Sequence, residues 1–277
     1  MKKIVLLILM MLPVAVYGQN ETYSPTEMKE GFASLESLPE GLRDIIFLES
    51  ENVVIDYIDS LVNEGLYLKA LERMDTIETR WKFASGRDLT PLYYIVKCNV
   101  LQYLEEWEKI VEIVDYCLLT SHSEGSLSDL ALLHNHKGNA LKGLFRYSDA
   151  IKSYEKATSF YGRNNDLGGQ SNMICSMAYC YTKIGKTIMA KELYGKGFKM
   201  YLDYFGTSRS ALLRTKYMVD GSLKKAALSV FSWHLYNMAI YEQDYGSSQA
   251  KKECLLMSAN CGNSDAESEY HRIYGYK

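Results

Sequence analysis

Between residues 129 and 162, the small and apolar positions follow helical spacing in two successive runs that are separated by a short turn. Gly138 lies in the first run, and Ala150, Tyr154 and Ala157 lie in the second at intervals of four and three residues. Residues at these intervals share one face of a helix. Because small side chains allow two helix axes to approach closely, the pattern predicts an antiparallel helix pair with its contact at Gly138 and Ala150.

The same pattern recurs along the chain at a constant step of 40 residues. The anchor positions at this step are Ala70, Ile110, Ala150 and Ala190. Around Ala190 the agreement extends to the small and aromatic neighbours, which are Ala178, Gly185, Tyr194 and Gly197. A fixed step of this kind predicts homologous helix pairs that stack on one another and share a continuous core.

Residues 129–162 resemble one tetratricopeptide repeat over their whole length. The step of 40 residues is longer than the usual repeat of about 34. In this the chain is similar to the longer repeats of kinesin light chains and of several bacterial regulators. The segment 262–266 resembles the loop between Sel-one-like repeats. The resemblance implies an all-α fold, specifically a right-handed α-solenoid of antiparallel helix pairs.

The period and its interruptions predict how the chain is divided. After Phe205-Gly206 the period breaks, and residues 208–220 are predicted to form an extra helix. The predicted divisions are a signal peptide at 1–18, an N-terminal helical cap at 19–50, four tetratricopeptide-like repeats at 51–205, an inserted helix or linker at 206–225, and a terminal tetratricopeptide- or Sel-one-like repeat with a C-terminal cap at 226–277.

The first residues have the order of a bacterial secretory signal. Lys2 and Lys3 precede an uncharged apolar run from Ile4 to Val16, and the small residue Gly18 follows. The run is shorter than the roughly 20 residues that a helix needs to span a bilayer, although a retained anchor is the alternative. We therefore expect cleavage between Gly18 and Gln19, and a periplasmic or secreted protein without stable membrane insertion.

Charge and cysteine positions indicate the kind of partner and the state of the thiols. The chain has 31 Lys and Arg against 34 Asp and Glu, so the overall balance does not favour nucleic acid as a partner. Six cysteines raise the question of disulfides in an exported protein. Their predicted helical positions are unsuited to bridging, so we expect buried free thiols that act as small hydrophobic side chains.

No familiar catalytic or cofactor motif is present in the sequence. His134 and His136 are two residues apart and so point to different sides of a helix, which disfavours chelation of one metal. Gly168-Gly169 lacks the preceding strand of a dinucleotide fingerprint and is predicted to be part of a loop. We expect a protein that is not an enzyme, with no catalytic residue, metal or cofactor, although an acid–base pair assembled from distant residues stays open.

The candidate site is the groove of the predicted superhelix, because the first helix of each pair lines its concave side. The resemblance implies a protein or peptide partner there, and asparagines in such grooves often bond to the ligand backbone. The lysine and arginine set of the domains that clamp a terminal carboxylate is absent. An envelope carbohydrate or polymer binder and a structural spacer are alternatives, and the asparagines could instead brace neighbouring helices. The candidate groove residues are Asn99, Gln102, Asn135, Asn139, Lys142, Tyr179 and Lys183.

Overall fold

The structure is a computed structural model that describes residues 51–85, 89–120 and 125–275. All regular secondary structure in these ranges is helical. The chain divides into two compact units, residues 1–124 and 125–277. The predicted signal peptide at 1–18 and the predicted cap at 19–50 lie outside the described residues.

The first unit contains helices that pack in consecutive pairs, α1 on α2 and α3 on α4, with α2 also against α3. These helices are α1 (Glu51–Asn63), α2 (Tyr67–Ser85), α3 (Pro91–Tyr103) and α4 (Trp107–Thr120). Short turns join the members of each pair, so the two helices run antiparallel.

The second unit is also built from packed helix pairs. Its helices are α5 (Leu127–Gly143), α6 (Tyr147–Arg163), α7 (Leu167–Lys183), α8 (Thr187–Phe205), α9 (Arg209–Leu212), α10 (Ser222–Tyr245), α11 (Ser248–Asn260) and α12 (Ser264–Tyr274). Helix α5 packs on α6, α7 on α8 and α10 on α11, and α7 also contacts α6 and α10. The all-α fold of antiparallel helix pairs, predicted from the 40-residue step, is confirmed within each unit.

The backbone repeats its turn geometry at the same step. Gly65, Glu105, Phe145 and Gly185 have positive φ angles of 75°, 56°, 59° and 76°. At each of them two backbone hydrogen bonds close the end of the first helix, as in Phe145 N to Lys142 O at 3.0 Å and Arg146 N to Leu141 O at 2.8 Å. This is the Schellman pattern, in which a left-handed residue ends a helix. The repeat is therefore present in the backbone as well as in the sequence.

The contact between α5 and α6 depends on the absence of a side chain at Gly138. A Cβ atom at this position would lie 2.5 Å from Cε1 of Tyr154, whose ring occupies the space. Tyr154, Ala150 and Ala157 have no exposed surface. The predicted close approach of the two helices is thus filled by an aromatic ring rather than left as a bare backbone contact.

Two local features differ from the prediction. The extra helix predicted over 208–220 covers only Arg209–Leu212, because the following residues bond to α11 instead, with Tyr217 N donating to Asn260 O at 2.8 Å. The Gly168-Gly169 pair lies in the first turn of α7 rather than in a loop, where the glycines leave room for the rings of Tyr204 and Tyr161.

All six cysteines are buried free thiols, as the sequence analysis expected. Burial raises the pKa of the Cys98, Cys254 and Cys261 thiols to about 12. Because the thiolate is the reactive form, burial and a raised pKa both disfavour reaction of these cysteines in the folded chain.

We expect Gly138→Ala to lower the free energy of unfolding by about 1–3 kcal/mol, since the added methyl group must displace the buried Tyr154 ring. Gly195→Ala in α8 is the matched control, because nothing lies within 4 Å of its Cβ position. That variant should gain roughly 0.5–1 kcal/mol from the better helix former. Urea denaturation of both measures the difference, and equal stabilities would contradict the assigned contact.

Candidate partner-binding site

The predicted groove residues are distributed over both units. Asn99 and Gln102 lie on α3 in the first unit, and both are exposed. The others belong to the second unit, where Asn135, Asn139 and Lys142 lie on α5 and Tyr179 and Lys183 lie on α7. The candidates therefore form two sets, one in each unit.

Lys142, Tyr179 and Lys183 come together on one side of the second unit. The Lys142 Nζ atom lies 5.9 Å from the centre of the Tyr179 ring, and Lys183 Nζ lies 5.2 Å from it. Both distances are within the range of a cation–π interaction, in which the negative face of the ring attracts the ammonium group. We call these three residues the lysine–tyrosine cluster.

The positive charge of this cluster is not balanced by a carboxylate. Neither Lys142 nor Lys183 forms an ion pair with an acidic side chain in the part of the chain that the structure describes. Lys142 is partly buried, and the loss of solvation lowers the pKa of its ammonium group. A desolvated cation without an anion is costly, and an anionic ligand would relieve that cost.

Lys97 in the first unit shows the contrasting arrangement. Its buried ammonium group contacts Asp75 Oδ1 at 2.8 Å and Glu78 Oε2 at 2.5 Å. Burial lowers the pKa of Lys97, but the two carboxylates outweigh this effect and the pKa is raised. Asp75 and Glu78 thus neutralise Lys97, whereas Lys142 has no carboxylate partner among the described residues.

Two aromatic residues extend the lysine–tyrosine cluster toward the α5–α6 turn. The Tyr147 ring lies edge-on to Tyr179 with centroids 6.5 Å apart. The Phe145 ring lies edge-on to Tyr147 at 6.3 Å, and Phe145 is 78% exposed. Neither residue was among the groove candidates. The signal that could have found Phe145 is its place at the step of 40 residues that also carries Gly65 and Gly185.

The candidate asparagines of α5 are engaged within the second unit. Asn139 Oδ1 accepts a hydrogen bond from the Tyr154 hydroxyl at 2.8 Å. The side chain of Asn135 hydrogen-bonds to Tyr161, while its Oδ1 atom is buried without a partner. Asn139 therefore stabilises the contact between α5 and α6. A ligand that bound Asn139 would have to use the same side-chain amide that already bonds to Tyr154.

A buried histidine lies within reach of the lysine charge and was also missed. His234 on α10 bonds through Nε2 to Asn172 Oδ1 on α7 at 2.9 Å. Because an amide oxygen only accepts, Nε2 carries the proton, and Nδ1 is left buried without a hydrogen-bond partner. Burial, together with repulsion from Lys142, lowers the pKa of His234 to about 3. His234 is neutral at physiological pH and adds no charge to the cluster.

Other kinds of site have little support among the described residues. No group of three His, Cys, Asp or Glu side chains there could hold a metal ion. None of the helices in the described ranges is both long enough and apolar enough to cross a bilayer. The arrangement of Lys142, Lys183 and their aromatic neighbours is suited to binding an anionic group.

We expect Asn139→Ala to lower the free energy of unfolding by about 1 kcal/mol relative to Asn99→Ala, since only Asn139 accepts a hydrogen bond from a buried tyrosine. Both substitutions place alanine in a helix, so the change in helix propensity cancels in the comparison. Thermal or urea denaturation gives the difference. Equal stabilities would show that the Asn139–Tyr154 bond contributes nothing.

Comparison with known proteins supports the fold but does not identify a ligand. No family model matches the chain, and no curated protein matches it. Among solved structures, the chain is similar to the crystal structure of BtubC (BKLC) from P. vanneervenii, with a TM-score of 0.58 and 13% sequence identity. The similarity covers 91% of each chain. At this identity it shows a shared fold of helix pairs and nothing about what this chain binds.

Proposed function

We propose that this chain is an exported, non-catalytic scaffold that binds a protein or peptide partner along the first helices of its pairs. The observation that carries the proposal is the lysine–tyrosine cluster, in which two ammonium groups lie against one tyrosine ring without a carboxylate in the described residues. The cluster lies near the C-terminal ends of α5 and α7, which are the first helices of two successive pairs.

The physical support for partner binding is the unbalanced charge. Partial burial of Lys142 without an anion lowers the stability of the folded chain. The nearby aromatic ring offsets only part of the free energy that the ammonium group loses with its solvation. A partner that supplies the anion recovers more. The repeat architecture adds further support, since stacked helix pairs create extended surfaces on which an elongated segment can lie.

A carbohydrate or envelope-polymer ligand is the second candidate. It is favoured by the exposed ring of Phe145 and the partly exposed ring of Tyr147, because accessible rings can also pack against sugars. A structural spacer would need no discrete site at all. The substitutions below separate the spacer from both binding functions.

Export rests on the sequence of residues 1–18. We expect the exported protein to lack these residues, because their charge, apolar run and small residue form a cleavable signal. Intact mass spectrometry of the protein recovered from the cell envelope or medium decides this. A mass that still includes Met1 to Gly18 would contradict cleavage and favour a retained anchor.

We expect the mature chain to capture a partner from an envelope extract, and the double variant Lys142→Gln, Lys183→Gln to bind the isolated partner at least tenfold more weakly, which is about 1.4 kcal/mol. The double variant Lys191→Gln, Lys196→Gln is the matched control, because it removes the same charge from exposed positions on α8.

Calorimetry or surface plasmon resonance with the captured partner gives the affinities. Equal weakening by both double variants would mean that only overall charge matters. Unchanged affinity in both would place binding elsewhere. Failure of the native chain to retain any partner or glycan would favour the spacer.

A further inference from the structure

Phe145 occupies a backbone conformation that phenylalanine disfavours. Its φ angle of 59° is in the left-handed region, where a side chain approaches the following carbonyl oxygen. Of the equivalent turns, those at Gly185 and Gly65 have no such conflict, whereas the turn one repeat earlier shares it at Glu105, with a φ angle of 56°. A bulky residue here costs stability that glycine would not.

The ring does not recover this cost by burial, because it is 78% exposed. Its contact with another ring is the edge-on approach to Tyr147. An exposed aromatic residue held at an unfavourable turn position contributes little to the fold, and strained positions of this kind occur often at binding sites.

The contacts of Phe145 lead directly into the lysine–tyrosine cluster. Tyr147 contacts Phe145 on one side and Tyr179 on the other, and Tyr179 carries Lys142 and Lys183. An exposed apolar surface is thus continuous with two cations that have no carboxylate partner among the described residues. We call this surface, from Phe145 through Tyr147 to the cluster, the aromatic–lysine strip.

We propose that the aromatic–lysine strip binds a peptide segment of the partner in which an acidic side chain is adjacent to an aromatic or large apolar one. The carboxylate lies between Lys142 and Lys183, and the apolar side chain packs against Phe145 and Tyr147. This inference rests on the proposed function and names the chemistry of the partner.

The ring geometry favours a side chain over a sugar. Phe145 and Tyr147 lie at 80° to each other and Tyr147 and Tyr179 at 68°, so these neighbouring rings form corners rather than one flat platform. A third ring fits such a corner edge-to-face. A sugar ring, by contrast, packs best on a flat aromatic face.

The substitution test compares two turns of the same geometry. Phe145→Gly removes the strain and the ring, whereas Glu105→Gly removes the strain at a left-handed position, φ 56°, in the first unit and outside the strip. Both variants should raise the melting temperature by about 2–4 °C. Only Phe145→Gly should weaken binding, by about tenfold, and Phe145→Trp should retain affinity.

The ligand test uses random octapeptide pools that are blocked at both ends and contain one fixed dipeptide. The fixed dipeptides are Glu-Phe, Gln-Phe and Glu-Ala. We expect the Glu-Phe pool to bind at least tenfold more tightly than either of the others. Blocked ends ensure that a terminal carboxylate cannot supply the charge. Oligogalacturonate is included as an acidic glycan.

The outcomes separate this inference from the proposed function. If Phe145→Gly binds the captured partner and the Glu-Phe pool as tightly as the native chain, the inference is overturned, while loss in the Lys142→Gln, Lys183→Gln variant keeps the proposed function. Binding of oligogalacturonate but of no peptide pool overturns the peptide assignment. Equal binding of the Glu-Phe and Gln-Phe pools overturns the role of the carboxylate. A fall in melting temperature for Phe145→Gly, with unchanged affinity, would show that the ring serves the fold.

Discussion

The close approach of α5 and α6 at Gly138 is the contact on which the geometry of the second unit depends. Because Gly138 has no side chain, the Tyr154 ring can lie across the helix and exclude water from the pair. The same principle operates in the next pair, where Gly197 makes room for the Cys175 side chain. Each repeat of this contact sets the separation of two helices, and stacked pairs then share their interfaces.

The Tyr154 ring that fills this contact also determines which polar groups of α5 remain available to a ligand. A buried hydroxyl needs a hydrogen-bond partner, and Asn139 supplies it from the first helix of the pair. The amide that family resemblance would assign to a ligand is therefore engaged by the fold. The groups left for a ligand lie nearly one turn further along α5 and on α7, where Lys142 and Lys183 share the Tyr179 ring.

The sequence predicted the helix pairs and their step because the small and aromatic positions are local and periodic. It also placed Lys142, Tyr179 and Lys183 together, because residues on successive first helices project to the same side. It missed Phe145, because the step of 40 residues places Phe145 at the turn but does not reveal that its ring is exposed. It missed His234 because the repeat period breaks after Gly206, so the register of α10 could not be predicted. The helix predicted over 208–220 was too long because the hydrogen bond from Tyr217 to Asn260, which joins distant parts of the sequence, could not be predicted from local spacing.

Lys97, which is buried, and Lys142, which is partly buried, have different electrostatic surroundings. A lysine whose pKa is lowered by folding costs stability wherever it stays protonated, because the unfolded chain solvates the charge better. Asp75 and Glu78 reverse that effect at Lys97, whose pKa is raised. At Lys142 the lowered pKa remains. A partner that brought a carboxylate would supply there what Asp75 and Glu78 supply at Lys97, so that part of its binding free energy would come from relieving a cost already present in the free protein.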